Sequence, residues 1–218
     1  MSEGDSSQGL EFRVILIIGS FDPETKQVLT NLKAELAAGL MSESWVALVL
    51  LVDDVDLYKV DAPGSTETYS IISERVVGGV SAYLSRNGRL IEAHDARFTT
   101  GTADDYIAEF AKTRLGGTTL KLPIFEKVAE LANIMSAAFL VRHIELTRGG
   151  EYIELAFLIG SDRSSAAHIW FFKHEGVELS QMAWEILDKF GVQVRPYRRE
   201  PDLYVEAIRV ARYQTAHR

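Results

Sequence analysis

Two apolar runs without alternation narrow the fold more than any other feature: residues 13–18 (RVILII) and 45–52 (WVALVLLV). A strand with one wet face alternates apolar and polar residues at period two. An unbroken, β-branched run instead predicts a strand covered on both faces, as in a parallel sheet sandwiched by helices. Between the runs, Asp22 precedes Pro23, an N-cap followed by proline at the first helical position. Val28, Leu29, Leu32, Leu36 and Leu40 then recur at helical spacing, which predicts a helix over residues 23–40. Strand, helix and strand in that order open a parallel sheet with a right-handed crossover.

The middle of the chain leaves this rhythm. Asn87-Gly88 stands between the β-type segments 80–84 and 89–94, the strongest short signal for a hairpin. Residues 103–114 and 123–135 read as helices separated by Gly116-Gly117. The alternation then resumes: strand 139–144, helix 150–159, strand 167–172, helix 179–190, strand 192–195, helix 201–213. The expected fold is α/β: a three-layer doubly wound sheet, mostly parallel, with about five core strands plus a mid-chain β-hairpin and helical insertion. Residues 1–10 are polar and read as a flexible N-terminal tail, and residues 11–218 as a single α/β domain with 78–120 as an insertion.

Composition removes several function classes. At 218 residues the chain can build a core without crosslinks, and it contains no cysteine, so disulfides, thiolate metal sites and cysteine nucleophiles are all excluded. The net charge of -8, with a pI near 5.2, argues against a nucleic-acid partner. Apolar runs are too short to span a bilayer, and the start of the chain lacks the pattern of an export signal; the expectation is a cytoplasmic protein with no membrane partner. The five histidines are dispersed without metal-ligand spacing, and no cofactor fingerprint of the G-x-G-x-x-G, P-loop or G-x-S-x-G type occurs, so neither a metal nor a cofactor is expected. Asp53-Asp54-Val55-Asp56 could hold magnesium through oxygen ligands, although a solvated acidic loop is the commoner outcome for such a run.

In doubly wound sheets the ligand sits beyond the carboxyl ends of the strands. That rule nominates Gly19-Ser20-Phe21-Asp22, the acidic run at Asp53, residues 143–151, Lys173 to Gly176, and Arg195 to Arg199. The third is the richest. Arg148-Gly149-Gly150 joins a strand to a helix through paired glycines, which let backbone amides approach an anion or sugar closely. Glu154 follows at the edge of the apolar segment 155–159, where desolvation could make a carboxylate reactive. Acidic residues in a first helical turn also complement the helix dipole without any catalytic role, so Glu151 and Glu154 carry both readings.

The strand at 139–144, Gly149-Gly150 and Glu154-Leu155-Ala156 together resemble the nucleoside 2-deoxyribosyltransferase-like group, in which a strand leads through a glycine-bearing loop to a helix with a glutamate. The TIR-like nucleotide hydrolases carry a similar strand, loop and glutamate, and Ile17-Ile18-Gly19-Ser20-Phe21 resembles the group's first strand and loop. The chain departs from the group at Ser136-Ala137-Ala138, where an aspartate is usual, and at Arg148-Gly149-Gly150, where Ser/Pro-Gly-Thr is usual. The resemblance implies action on a nucleoside or nucleotide at an N-glycosidic bond, with Glu154 as nucleophile. Gly19, Ser20, Phe21, Asp53, Gly149 and Gly150 would shape the substrate pocket, and Arg142, His143 and Arg148 would hold a phosphate, unless they serve as surface ion-pair partners. The rival expectation is non-catalytic: a Rossmann-like nucleotide-sensing domain that forms a homodimer through an apolar helix face.

Overall fold

A computed structural model describes residues 11–19, 22–98, 100–144, 155–156, 159–160 and 168–216. Strand β1 (Phe12–Gly19), helix α1 (Pro23–Gly39) and strand β2 (Val46–Leu51) form the opening unit. A 3-10 turn, Val52–Asp54, then turns the chain into a run of antiparallel strands: β3 (Val55–Asp61), β4 (Tyr69–Val76), β5 (Gly79–Arg86) and β6 (Arg89–Arg97). Helix α2 (Ala103–Leu115), strand β7 (Thr118–Lys121) and helix α3 (Ile124–Ile134) lead to β8 (Met135–Arg142). Strand β9 (Ile169–His174), helix α4 (Gln181–Lys189), strand β10 (Gln193–Tyr197) and helix α5 (Glu200–Ala216) complete the chain.

The strands form two five-stranded sheets. One runs β10-β9-β8-β1-β2 with every pair parallel, and the other runs β6-β5-β4-β3-β7 with every pair antiparallel. The architecture is thus α/β, a Rossmann-like parallel sheet with helices and a separate antiparallel sheet inserted between β2 and β8. Counted among the parallel strands alone, the order is second, first, third, fourth, fifth, which puts the topological switch between β1 and β8.

The apolar runs have a direct physical cause. Along β1, Val14, Leu16 and Ile18 enter one core, while Ile15 and Ile17 enter another. Strands β2, β8 and β9 divide in the same way, because successive side chains point to opposite faces. Helices α1 and α5 cover one face through Leu32, Leu36, Leu203 and Ala207. Helices α3 and α4 cover the other through Val128, Leu131 and Leu187, joined by Leu155 and Ile159. No helix among the described residues is long and apolar enough to cross a membrane.

The Asn87-Gly88 hairpin forms as expected, with Asn87 at φ 49° and Gly88 at φ 76°, the left-handed pair that a tight two-residue turn requires. The hairpin belongs to a larger sheet than its signal conveyed. Strands β3 and β4 lie upstream of residue 78 and already pair with each other. The acidic run at Asp53 is a 3-10 turn followed at once by β3, not an open loop. Leu57 and Ile72 face the core shared with the parallel sheet, whereas Tyr58, Ile71 and Leu84 pack under α2 against Ile107 and Phe110.

Candidate functional site

The carboxyl ends of β1 and β8 flank the switch point, and three residues singled out from the sequence stand beside it. Gly19 ends β1 opposite Val141 of β8, with Arg142 and His143 immediately beyond. Asp53 lies two residues past Leu51, the last β2 residue paired with β1. Gly19 has a packing reason to lack a side chain: a Cβ there would meet Leu29 Cδ1 at 2.8 Å and the Val141 carbonyl oxygen at 3.1 Å. It lets α1 close down on the strand end. Ser20, Phe21, Arg148, Gly149, Gly150 and Glu154, as well as Glu151, lie outside the described residues.

Strand alternation separates Arg142 from His143. Arg142 continues the register of Ala138 and Leu140 toward the α3 side and is buried, 7% exposed, whereas His143 follows Phe139 and Val141 to the α1 side. The two thus stand on opposite faces of the sheet. What the fold gathers around His143 is a different set. Tyr197 Oη lies 2.9 Å from His143 Nδ1, and the two rings stack at 6.1 Å with an interplanar angle of 11°. The His174 ring packs edge-on against both, at 5.5 Å from each. Glu24, in the first turn of α1, places Oε1 3.7 Å from His143 Nε2. Three strand ends and the start of α1 therefore converge on one imidazole.

Protonation states in this cluster follow from its contacts. Burial, with the Glu200 carboxylate and Tyr204 nearby, pushes the Tyr197 phenol above its ordinary range, so it keeps its proton. The Tyr197 hydroxyl shares a hydrogen bond with His143 Nδ1, and His143 Nε2 faces Glu24. His174 is fixed by backbone groups. The Gly176 N–H donates to its Nδ1 at 3.2 Å, so its Nε2 donates to the Arg198 carbonyl at 3.1 Å. Beside it the Lys173 ammonium donates to the Val177 and His174 carbonyls.

The start of α1 carries two carboxylates. Asp22 caps the helix, its Oδ1 accepting from the Thr25 N–H at 2.8 Å, and Glu24 follows. A helix N-terminus favours negative charge, and here the chain itself supplies it, so a phosphate at this point would meet like charge. Carboxylates and an imidazole suit neutral hydroxyls better. The Thr25 hydroxyl, fully buried in the same turn, has no hydrogen-bond partner among the described residues.

On the β2 side, Lys127 of α3 is buried and donates to the Val52 and Val55 carbonyls at 2.8 and 2.9 Å, locking the turn between the two sheets. Burial raises the Asp53 carboxyl above its ordinary range and Asp54 adds to this, while Lys127 and Lys26 oppose it. Among the described residues no group of three or more histidine and acidic side chains could hold a metal ion.

Reading the sequence missed Tyr197, His174 and Glu24 as neighbours of His143. The strand-end rule did nominate the segments holding Tyr197 and His174, but which face each side chain takes depends on strand register. No family model, no curated protein and no solved structure matches the chain.

Proposed function

We propose that the chain binds a nucleoside or nucleotide in the crevice beyond β1 and β8, and acts on its N-glycosidic bond with Glu154 as nucleophile. The observation that carries this reading is the strand order. It places the switch point between β1 and β8, where Gly19 ends β1 and His143 and Glu24 meet just beyond β8, the strand that Gly149, Gly150 and Glu154 follow in the sequence. The acidic start of α1 favours the sugar hydroxyls of a nucleoside over a phosphate at that end. In this chemistry the Glu154 carboxylate attacks the anomeric carbon. The carbon–nitrogen bond breaks with its electron pair going to the base, which takes a proton, and water or a second base then releases the sugar.

Incubation with a panel of nucleosides, nucleotides and NAD, followed by chromatography for free base, tests the proposal. Release is expected with the native chain and is expected to vanish in Glu154→Gln while the circular dichroism spectrum stays unchanged. Turnover that persists in Glu154→Gln removes this residue from the chemistry.

One observation favours a second, non-catalytic reading. His174 and Lys173 at these strand ends are tied into hydrogen bonds with backbone groups, which suits a fixed binding rim. Ligand-dependent thermal stabilisation without base release would select nucleotide sensing over catalysis.

A further inference from the structure

A pocket lies at the amino end of the parallel sheet, opposite the strand ends of the proposed site, on the face covered by α5. Its walls are Trp170 of β9, Gln193 and Arg195 of β10, and Arg209, Val210 and Tyr213 of α5, around a cavity of about 280 Å³. Gln193 pairs with Trp170 in the sheet register, and Arg195, two residues on, returns to the same face. Nothing in the nucleoside reading uses these residues.

Hydrogen-bond donors outnumber acceptors in this pocket. Trp170 is 4% exposed, and its indole N–H is buried with no acceptor among the described residues. The Arg195 Nε is likewise buried without a hydrogen-bond partner among the described residues. The Arg195 guanidinium lies over the Trp170 ring, 5.0 Å from its centroid, and gives one bond to Gln193 Oε1 at 3.0 Å. One carboxylate serves both arginines: Glu206 takes two bonds from Arg209, at 2.8 and 2.6 Å, and stands 3.6 Å from Arg195 Nε. Two guanidiniums against one carboxylate leave a formal excess of one positive charge. Each guanidinium also carries five N–H donors, far more than Glu206 and the Gln193 amide oxygen can accept.

Orphaned buried donors are rare in folded proteins and call for a reason. An occupant that brings acceptor oxygens and one negative charge would supply it. The remaining walls are flat and apolar: buried Val210 and the exposed Tyr213 ring. The cavity has room for one ring and a carboxylate, at the small end of ligand pockets.

We infer that this pocket binds a small ring-bearing carboxylate, its oxygens taken by the Arg195 guanidinium and the Trp170 indole N–H and its ring laid against Tyr213 and Val210. The site is separate from the crevice at the carboxyl ends, so its occupancy and the nucleoside reading stand or fall independently.

The chain has three tryptophans, so a spectrum of ¹⁵N-labelled full-length protein shows three indole signals, and Trp170→Phe identifies the one that matters. Titration with benzoate is expected to shift the Trp170 signal to saturation while the Trp45 and Trp184 signals hold still. Acetate, lacking the ring, and benzamide, lacking the charge, are each expected to bind roughly tenfold more weakly, and Arg195→Gln to weaken benzoate by a similar factor. Trp170→Phe keeps the aromatic wall but loses the donor, and calorimetry is expected to show weaker benzoate binding to this folded variant. A Trp170 signal that benzoate leaves unmoved overturns the inference. Benzamide binding as tightly as benzoate, or affinity unchanged in Arg195→Gln, does the same.

Discussion

Each strand of the parallel sheet divides its residues between two large cores, whereas strands of the antiparallel sheet divide theirs between a core shared with the parallel sheet and a smaller one under α2. The first arrangement confines the polar residues of β1 and β8, Arg13, Ser136 and Arg142, to the strand ends; the second admits Ser70, Ser73, Ser81 and Ser85 into buried positions along the strands. The difference follows from topology. Helices cross both faces of a parallel sheet because its connections must return to the starting end, while hairpin-linked strands need cover only where a neighbour packs. The shared core, built from Leu50, Leu57, Ile72 and Val128 among others, joins the two sheets.

The largest effect expected from breaking this arrangement is in that shared core. Phe171→Ala, at a fully buried position, is expected to cost about 3–5 kcal/mol in urea unfolding. Its counterpart, Phe110→Ala under α2, is expected to speed amide exchange in β4 and β5 while leaving β1 and β8 protected. Equal acceleration in both sheets would make them one cooperative unit and erase the contrast.

Next in size is the junction between the sheets. Lys127→Met keeps most of the buried stem but strips the Val52 and Val55 carbonyls of their donor, an expected loss of about 1–3 kcal/mol. A variant as stable as the native chain would show that water reaches the turn and replaces the ammonium.

Within the antiparallel sheet alone, Asn87→Ala is expected to cost about 1–2 kcal/mol. Alanine at φ 49° is strained, and the Asn87 side chain also accepts from the Thr68 N–H at 2.9 Å. Thermal unfolding of this variant beside Asn87→Gly, which keeps the backbone freedom and loses only the side-chain bond, separates the two contributions.

The smallest effect tests Asp53. Its folded carboxyl is held above the ordinary range, chiefly by burial, so folding disfavours the charged form. The penalty is absent below the unfolded value and grows as pH rises through the window up to the folded one. Asp53→Asn is therefore expected to raise Tm at pH 7 by no more than about 1–2 °C, and the gain should disappear in acid. A gain that persists at low pH would assign the effect to something other than charge.

Much of the fold is legible in the sequence because its strongest signals are local. The covered strands β1 and β2 follow from RVILII and WVALVLLV, the start of α1 from Asp22-Pro23, and the β5–β6 turn from Asn87-Gly88. Strands β3 and β4 escaped notice because β3, with the sequence VDLYKVD, places Asp56 and Lys59 three apart, a helical spacing that breaks the alternation of a strand, and neither strand is joined by an Asn-Gly turn. The site is legible only as far as its strand ends. Gly19, Asp53, Arg142 and His143 do lie at the carboxyl ends of β1, β2 and β8, but the sequence holds no mark of the partners that surround His143.

By itself the sequence determined which segments must be covered on both faces, where helices begin and where the tightest hairpin turns, since each depends on residues a few positions apart. The tertiary structure alone decided the strand order, and with it that His143, His174 and Tyr197 meet while adjacent Arg142 and His143 part. Those outcomes depend on register between strands distant along the chain, where a shift of one residue sends every side chain to the other face.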